Sequence, residues 1–136
     1  MTDATKTGEL MVRTAAMPAD ANSNGDIFGG WVLSQMDIAG GIAAAEYSHG
    51  RVATVAIEAM AFLKPVHIGD VLCVYTDVVN VGRTSIRVHI EAWVRRQRIS
   101  DPEKVTEGDF TFVAIDEQGQ KRLATPPETK TSDASK

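Results

Sequence analysis

The chain has 136 residues with 43% hydrophobic content, enough for one domain with its own core and no disulfide staples. Fourteen Lys and Arg against eighteen Asp and Glu leave a formal charge of −4, which speaks against a general nucleic-acid binder. A single cysteine, Cys73, excludes an internal disulfide.

Residues 1–7 are expected to form a mobile arm, residues 8–124 the folded domain, and residues 125–136, TPPETKTSDASK, a disordered tail. Glu9 to Ala16 reads as a first strand ending before Pro18. Ala19 to Gly30 is rich in Asn, Asp and Gly and reads as a loop. From about Phe28 to Ser48 the pattern is helical, with His49-Gly50 as the stop and Arg51 at the exit equally placed to cap it or to join a basic patch. Strand periodicity then takes over. Val52 to Leu63 is a long apolar run broken at Lys64-Pro65; Val71 to Val81 follows, with Cys73 as a small apolar residue of its interior; Val81-Gly82-Arg83 supplies a tight turn. Next comes strict alternation: Ile86, Val88, Ile90, Ala92 and Val94 face one way, and Arg87, His89, Glu91, Trp93 and Arg95 the other. Arg98 to Lys104 reads as a polar loop and Phe110 to Ile115 as a last strand.

The order is β-α-β-β-β-β, an α+β class. A helix of about 20 residues spans about 30 Å and needs a wide sheet to cover its apolar face, which an antiparallel sheet of four or five strands wrapped round it provides. Gly40, Gly41, Ala43, Ala44 and Ala45 would let helix and sheet approach closely. No segment reaches the roughly 18 apolar residues of a membrane span. Residues 1–8 are polar with no apolar run after them, so the expected compartment is the cytoplasm, without membrane or nucleic-acid partners.

Asp37 is the anomaly. On a helix it shares a face with Leu33, Gly40, Gly41 and Ala44, an apolar row with a carboxylate set into it. Such a group has a partner or a job; an arginine partner and a solvated helix edge are the structural alternatives. Upstream, Asn22-Ser-Asn-Gly-Asp-Ile-Phe-Gly-Gly30 leads into the helix. Two glycines at a helix start let a ligand reach first-turn N–H groups that lack intrahelical acceptors and can hold an oxyanion. Gly29 and Asp37 are eight residues apart, about 12 Å along a regular helix. Either the helix begins irregularly or donor and carboxylate come from different subunits.

Asn22…Gly25-Asp26-Ile27-Phe28-Gly29-Gly30-Trp31…Ser34-Gln35-Met36-Asp37 resembles the signature of bacterial YciA-type acyl-CoA thioesterases. Gly50-Arg51-Val52, Thr54-Val55, Phe62…Lys64-Pro65, Gly69-Asp70-Val71 and Val81-Gly82-Arg83-Thr84-Ser85 continue it, over roughly residues 10 to 123. The resemblance implies a hotdog fold, homodimers with shared active sites assembling further into hexamers as trimers of dimers, and hydrolysis of acyl-CoA. It implies Asp37 as general base or direct nucleophile, the Gly29 N–H as donor to the thioester carbonyl, and Asn22 as placing water or substrate, with Asn24 close enough to exchange roles. This chemistry needs an activated water and an oxyanion cradle, and no metal or separate cofactor. The substrate's phosphates call for a local basic patch. Gly82, Arg83, Thr84 and Ser85 combine a glycine turn, a guanidinium and two hydroxyls, and Lys64 is a further candidate, with Arg95, Arg96 and Arg98 behind it.

Other chemistries lack their motifs. His49, His67 and His89 have no metal-ligand spacing, no Gly-x-Ser-x-Gly elbow occurs, and Gly25, Gly29 and Gly30 do not form a dinucleotide fingerprint. A hotdog dehydratase resembles this pattern but carries a His where Phe28 stands. A non-catalytic acyl-CoA sensor would carry an added DNA-binding module, for which this chain has no room.

Overall fold

The computed structural model describes residues 8–96 and 101–126. The expected arm, the expected tail apart from Thr125 and Pro126, and Arg98 lie outside these residues. β1 (Glu9–Ala15) is followed by a short 3₁₀ turn (Pro18–Asp20) and α1 (Gly29–Ser48). Then come β2 (Val52–Ile57), β3 (Val71–Val81), β4 (Ser85–Arg95) and β5 (Glu103–Ala114). The strands form one antiparallel sheet in the order β1-β3-β4-β5-β2, so β1 and β2 are its edges. α1 packs across all five strands, as the expected wrapped-helix arrangement requires.

The core lies between α1 and the sheet's inner face. Val32, Met36, Ala39, Ala43 and Ala44 meet Leu72, Val74, Ile86, Val88, Ile90, Phe110 and Phe112. The inward set foreseen on β4 is buried in full. Gly40 sets the helix–sheet distance: a Cβ there would lie 2.6 Å from Ile90 Cδ1 and 2.8 Å from the Phe112 ring. Gly41 has ordinary clearance of 3.9 Å and is not under the same constraint.

Two element boundaries differ markedly from the sequence reading. β2 stops at Ile57, not Leu63. Beyond it, Glu58 N–H donates to Asp109 O and Leu63 N–H to Val105 O, so the chain continues along β5 as an irregular ladder. β5 begins at Glu103, not Phe110. Gly108 and Asp109, residues that argue against a strand interior, are accommodated there. Met60 occupies the side-chain space of Gly108, and Asp109 pairs with Arg87 and His89 on β4. Consequently the end of the expected Arg98–Lys104 loop is strand. The helix stops at His49-Gly50 as expected, with His49 adopting the left-handed conformation, at φ 59° and ψ 43°.

The cap on the helix exit is Arg122, not Arg51. Its guanidinium donates to Ser48 O (2.9 Å), Ser48 Oγ (3.1 Å), Arg51 O (3.0 Å) and Ile115 O (2.8 Å). Gly50 makes room for it, since a Cβ there would lie 2.6 Å from Arg122 Nη2. Arg51 turns outward and donates to the carbonyls of Asp116 and Glu117.

Candidate active site

The loop before α1 is organised by Asn22. Its Oδ1 accepts from the N–H groups of Asn24 (2.9 Å) and Asp26 (3.1 Å), and its own N–H donates to Asp26 O. The carboxamide oxygen is thus committed to the loop, while the Nδ2 donors have no partner among the described residues. A bridge from Ile27 N–H to Val66 O fixes the loop against the segment leading into β3.

Phe28 is the N-cap of α1, in extended geometry with no side-chain cap, and Gly29 is the first helical residue. Among the described residues the Gly29 and Gly30 N–H groups meet no acceptor, and no acidic side chain sits in the first turn. The positive end of the helix dipole is therefore uncompensated there. Gly29 borders an open, mainly apolar depression of ≈ 360 Å³ lined by Ile27, Val32, Phe62, Leu63, Pro65 and Val66, with Lys64 at its rim. The Phe62 ring lies over Gly29, 3.6 Å from where a Cβ would stand.

Asp37 lies two turns farther along α1. Within one chain it is half-buried on the flank of the helix, not desolvated in the core as its apolar row suggests. The neighbours that bury the helix are on the adjoining face. Thr54 of β2 donates its hydroxyl to Asp37 Oδ1 at 2.6 Å, and Oδ2 has no partner among the described residues. The pair opens on a second depression lined by Ile38, Gly41, Ile42, Arg51 and Phe112. Thr54 lies in a stretch that shares the family resemblance, and no feature of the sequence around it points to Asp37. Its link to Asp37 is a tertiary contact between α1 and an edge strand, 17 positions apart.

The remaining candidates divide between the two ends of the domain. Lys64 stands with Gly29. Gly82-Arg83-Thr84-Ser85 forms the β3–β4 turn at the opposite end, closed by Gly82 N–H to Ser85 O (2.8 Å). Sheet register places Ser85 beside Val113 and Val113 beside Ala53, next to Thr54. With strands about 4.8 Å apart, the turn is roughly 10 Å across the sheet from the start of β2. The candidates of one chain therefore fall into two separate groups: Gly29, Asn22 and Lys64 in one, Asp37, Thr54 and the turn in the other.

The outer face of the sheet carries a separate polar cluster that sequence spacing could not show. His89 Nδ1 lies 2.8 Å from Asp109, and Nε2 lies 3.2 Å from both Glu91 and Glu107. Arg87 pairs with Asp109 and Glu58, and Lys104 with Glu107. Burial favours neutral His89, but hydrogen bonds to Asp109 and Glu91 outweigh it and hold its pKa above the ordinary value. Burial likewise opposes ionised Asp109, and the bonds from His89 and Arg87 hold its carboxyl below the ordinary value. His89, Glu91 and Glu107 bring ligand-type atoms within 4.8 Å of one another, but each is already engaged in an ion pair.

Comparison with known proteins settles the lineage of this scaffold. Residues 24–100 match the model of the thioesterase superfamily. The chain belongs to that superfamily. The acyl-CoA thioester hydrolase YciA of Salmonella typhimurium is 54% identical over 123 residues, 88% of this chain and 92% of the relative. Its Escherichia coli counterpart is 52% identical over 118 residues, 85% and 89% of the two chains. These relatives bear out the resemblance drawn from the Asn22–Asp37 segment. Among solved structures, a hexameric broad-specificity acyl-coenzyme A thioesterase, crystallised as an aspartate-to-alanine mutant, superposes with TM-score 0.86. It is 48% identical, with 92% of this chain and 91% of that one covered. A hexameric thioesterase from Yersinia pestis gives TM-score 0.83 at 50% identity, covering 88% and 97%. A hexameric hotdog-fold thioesterase of Campylobacter jejuni gives 0.79 at 43%, covering 85% and 90%. The hotdog architecture implied by the resemblance is the one this superfamily member has. Among the described residues no helix is long and apolar enough to cross a membrane.

Proposed function

We propose that this chain hydrolyses acyl-coenzyme A to the free acid and coenzyme A, at a site completed by two copies. The observation that carries the reading is the Asp37–Thr54 pair. A carboxylate with one oxygen held by a hydroxyl and the other unpartnered opens on a depression beside an edge strand. Asp37 Oδ2 takes a proton from water as the water attacks the thioester carbonyl, and the resulting oxyanion rests on the Gly29 N–H at the positive end of α1. Collapse expels the thiolate of coenzyme A. Direct attack by Asp37, through a mixed anhydride, uses the same groups. Thr54 fixes which carboxylate oxygen faces the reaction, and the Asn22 Nδ2 group is a donor for water or substrate. The turn at 82–85 and Lys64 receive the phosphates of the substrate. No cofactor beyond the coenzyme A of the substrate is required by this chemistry.

Sharing between copies is supported by the division into two groups and by what lies exposed between them. Ile38 and Val55, 50% and 55% exposed, join Ile42, Ile57, Phe62 and Leu63 in an apolar strip along the unpaired β2 edge. Such an edge is normally covered. A two-fold axis level with residue 33, midway between Gly29 and Asp37, would bring the donor of one copy level with the carboxylate of the other. The hexameric assemblies of the structural relatives agree with pairing of this kind, a trimer of dimers being the natural arrangement.

The test is release of free thiol from acetyl-, butyryl-, hexanoyl- and palmitoyl-CoA, beside Asp37→Asn. Turnover by the wild type and a loss of about 100-fold or more in the variant are expected. Binding without release would turn the reading towards a sensor. A folded, fully active Asp37→Asn would make Asp37 structural.

A further inference from the structure

We infer that Arg122 is a positioning residue for the coenzyme A subsite: it pins the C-terminal segment that holds the Gly82–Ser85 turn. The inference rests on the reading of that turn as the phosphate-binding part of the site. After β5 the chain reverses at Asp116–Gly119, with Asp116 Oδ1 accepting from Gln118 and Gln120 N–H, and runs back beside its own strand. Arg122 N–H donates to Ala114 O, and Ala124 N–H donates to Arg83 O at 2.9 Å. Ala114 N–H in turn donates to Thr84 O. The turn is therefore held through two of its own carbonyls, one from β5 and one from the returning segment.

What fixes the returning segment is the Arg122 side chain. Its fork joins three elements: the last carbonyl and the hydroxyl of α1 at Ser48, the approach to β2 at Arg51 O, and the end of β5 at Ile115 O. It makes no ion pair among the described residues, so these oxygens and the negative end of the helix dipole satisfy its charge. Lysine cannot reproduce this, having one nitrogen where the fork uses three. Ala124, fully buried two residues on, is placed by the same anchor.

The experiment compares steady-state constants for butyryl-CoA and for butyryl-N-acetylcysteamine, a thioester that lacks the nucleotide. Arg122→Lys is expected to raise KM for butyryl-CoA by about tenfold with kcat little changed, the signature of lost uniform binding. The constants for the truncated thioester should stay at their wild-type values. Gly50→Ala, which keeps Arg122 but crowds its guanidinium, should shift KM in the same direction and guards against misfolding of the first variant; thermal unfolding is followed for both. Arg83→Ala tests the underlying reading independently. If Arg83→Ala raises KM for butyryl-CoA while Arg122→Lys and Gly50→Ala do not, the turn binds coenzyme A and the role of Arg122 is refuted. Equal losses on both substrates in the Arg122 and Gly50 variants would also refute it, as general structural damage. If Arg83→Ala leaves KM unchanged, the reading of the turn fails and the inference falls with it.

Discussion

Replacing Gly29 by proline deletes one N–H group at a position where a helix can bear it. Gly29 is the first residue of α1, where proline's fixed φ suits the helix and its missing donor has no intrahelical acceptor. Phe28, with ψ 136°, is already in the extended conformation a following proline demands. The added ring finds Phe62 at 3.6–3.9 Å from its Cβ, an ordinary contact. Stability should therefore hold or rise, by about 0.4–1 kcal/mol through the smaller entropy of the unfolded chain. Activity should fall: removing one oxyanion donor costs about 2.7–4 kcal/mol in the transition state, roughly 10²–10³ in kcat. Gly29→Ala keeps the N–H and is the control, expected within a few-fold of wild type. Urea unfolding and the thiol-release assay on all three proteins separate the two effects. A stable Gly29→Pro with wild-type kcat would show that this amide carries no part of the oxyanion.

Thr54→Val removes the hydroxyl from Asp37 with nearly unchanged shape. A hydrogen bond to a charged group is worth about 1.5–3 kcal/mol, so kcat should drop roughly 10–100-fold, while Thr54→Ser retains most of it; equal kcat values for the two variants would remove Thr54 from the site. On the outer face, His89 has its pKa raised by its carboxylates, so the stability it contributes is fully present below its unfolded value of 6.5 and is lost as pH rises through the folded value. Asp109, lowered, contributes above its unfolded value of 3.8 and loses that as pH falls through the folded one. The cluster of His89, Asp109, Glu91, Glu107, Arg87 and Lys104 should hold best between about pH 4 and 6.5, and His89→Gln should flatten the decline of Tm above that window; an unchanged slope would place the pH dependence elsewhere.

Periodicity carried the fold where an element keeps one rule along its length, as β3 and β4 do. β4 alternates in sequence without interruption, and its five inward residues are all buried, while Glu91 and Trp93 of the opposite face are buried too, with the Trp93 indole N–H donating to the Glu91 carboxylate. The misplaced boundaries lie where tertiary partners override local preference. Gly108 and Asp109 sit inside β5 because Met60 and the β4 cations occupy and satisfy them. Arg122 displaced Arg51 as helix cap because the return of the chain after β5, not sequence distance, brings it under Ser48. Asp37 stood out as a carboxylate in an apolar row, whereas Thr54 could not, since nothing local ties a strand hydroxyl to a helix carboxylate. The spacing of Gly29 and Asp37 did carry information: a regular α1 keeps them about 12 Å apart, which is the ground for a site divided between copies.

In the proposed site, donor and carboxylate come from different chains, and complementation tests this most directly. Asp37→Asn and Gly29→Pro chains are produced together in equal amounts, assembled at random and assayed for thiol release. With shared sites, half of the dimers are mixed and each has one intact site of two, so about a quarter of wild-type activity should return although either variant alone is nearly inactive. If the co-produced chains are no more active than the separate variants, Gly29 and Asp37 act within one chain and the shared site is wrong.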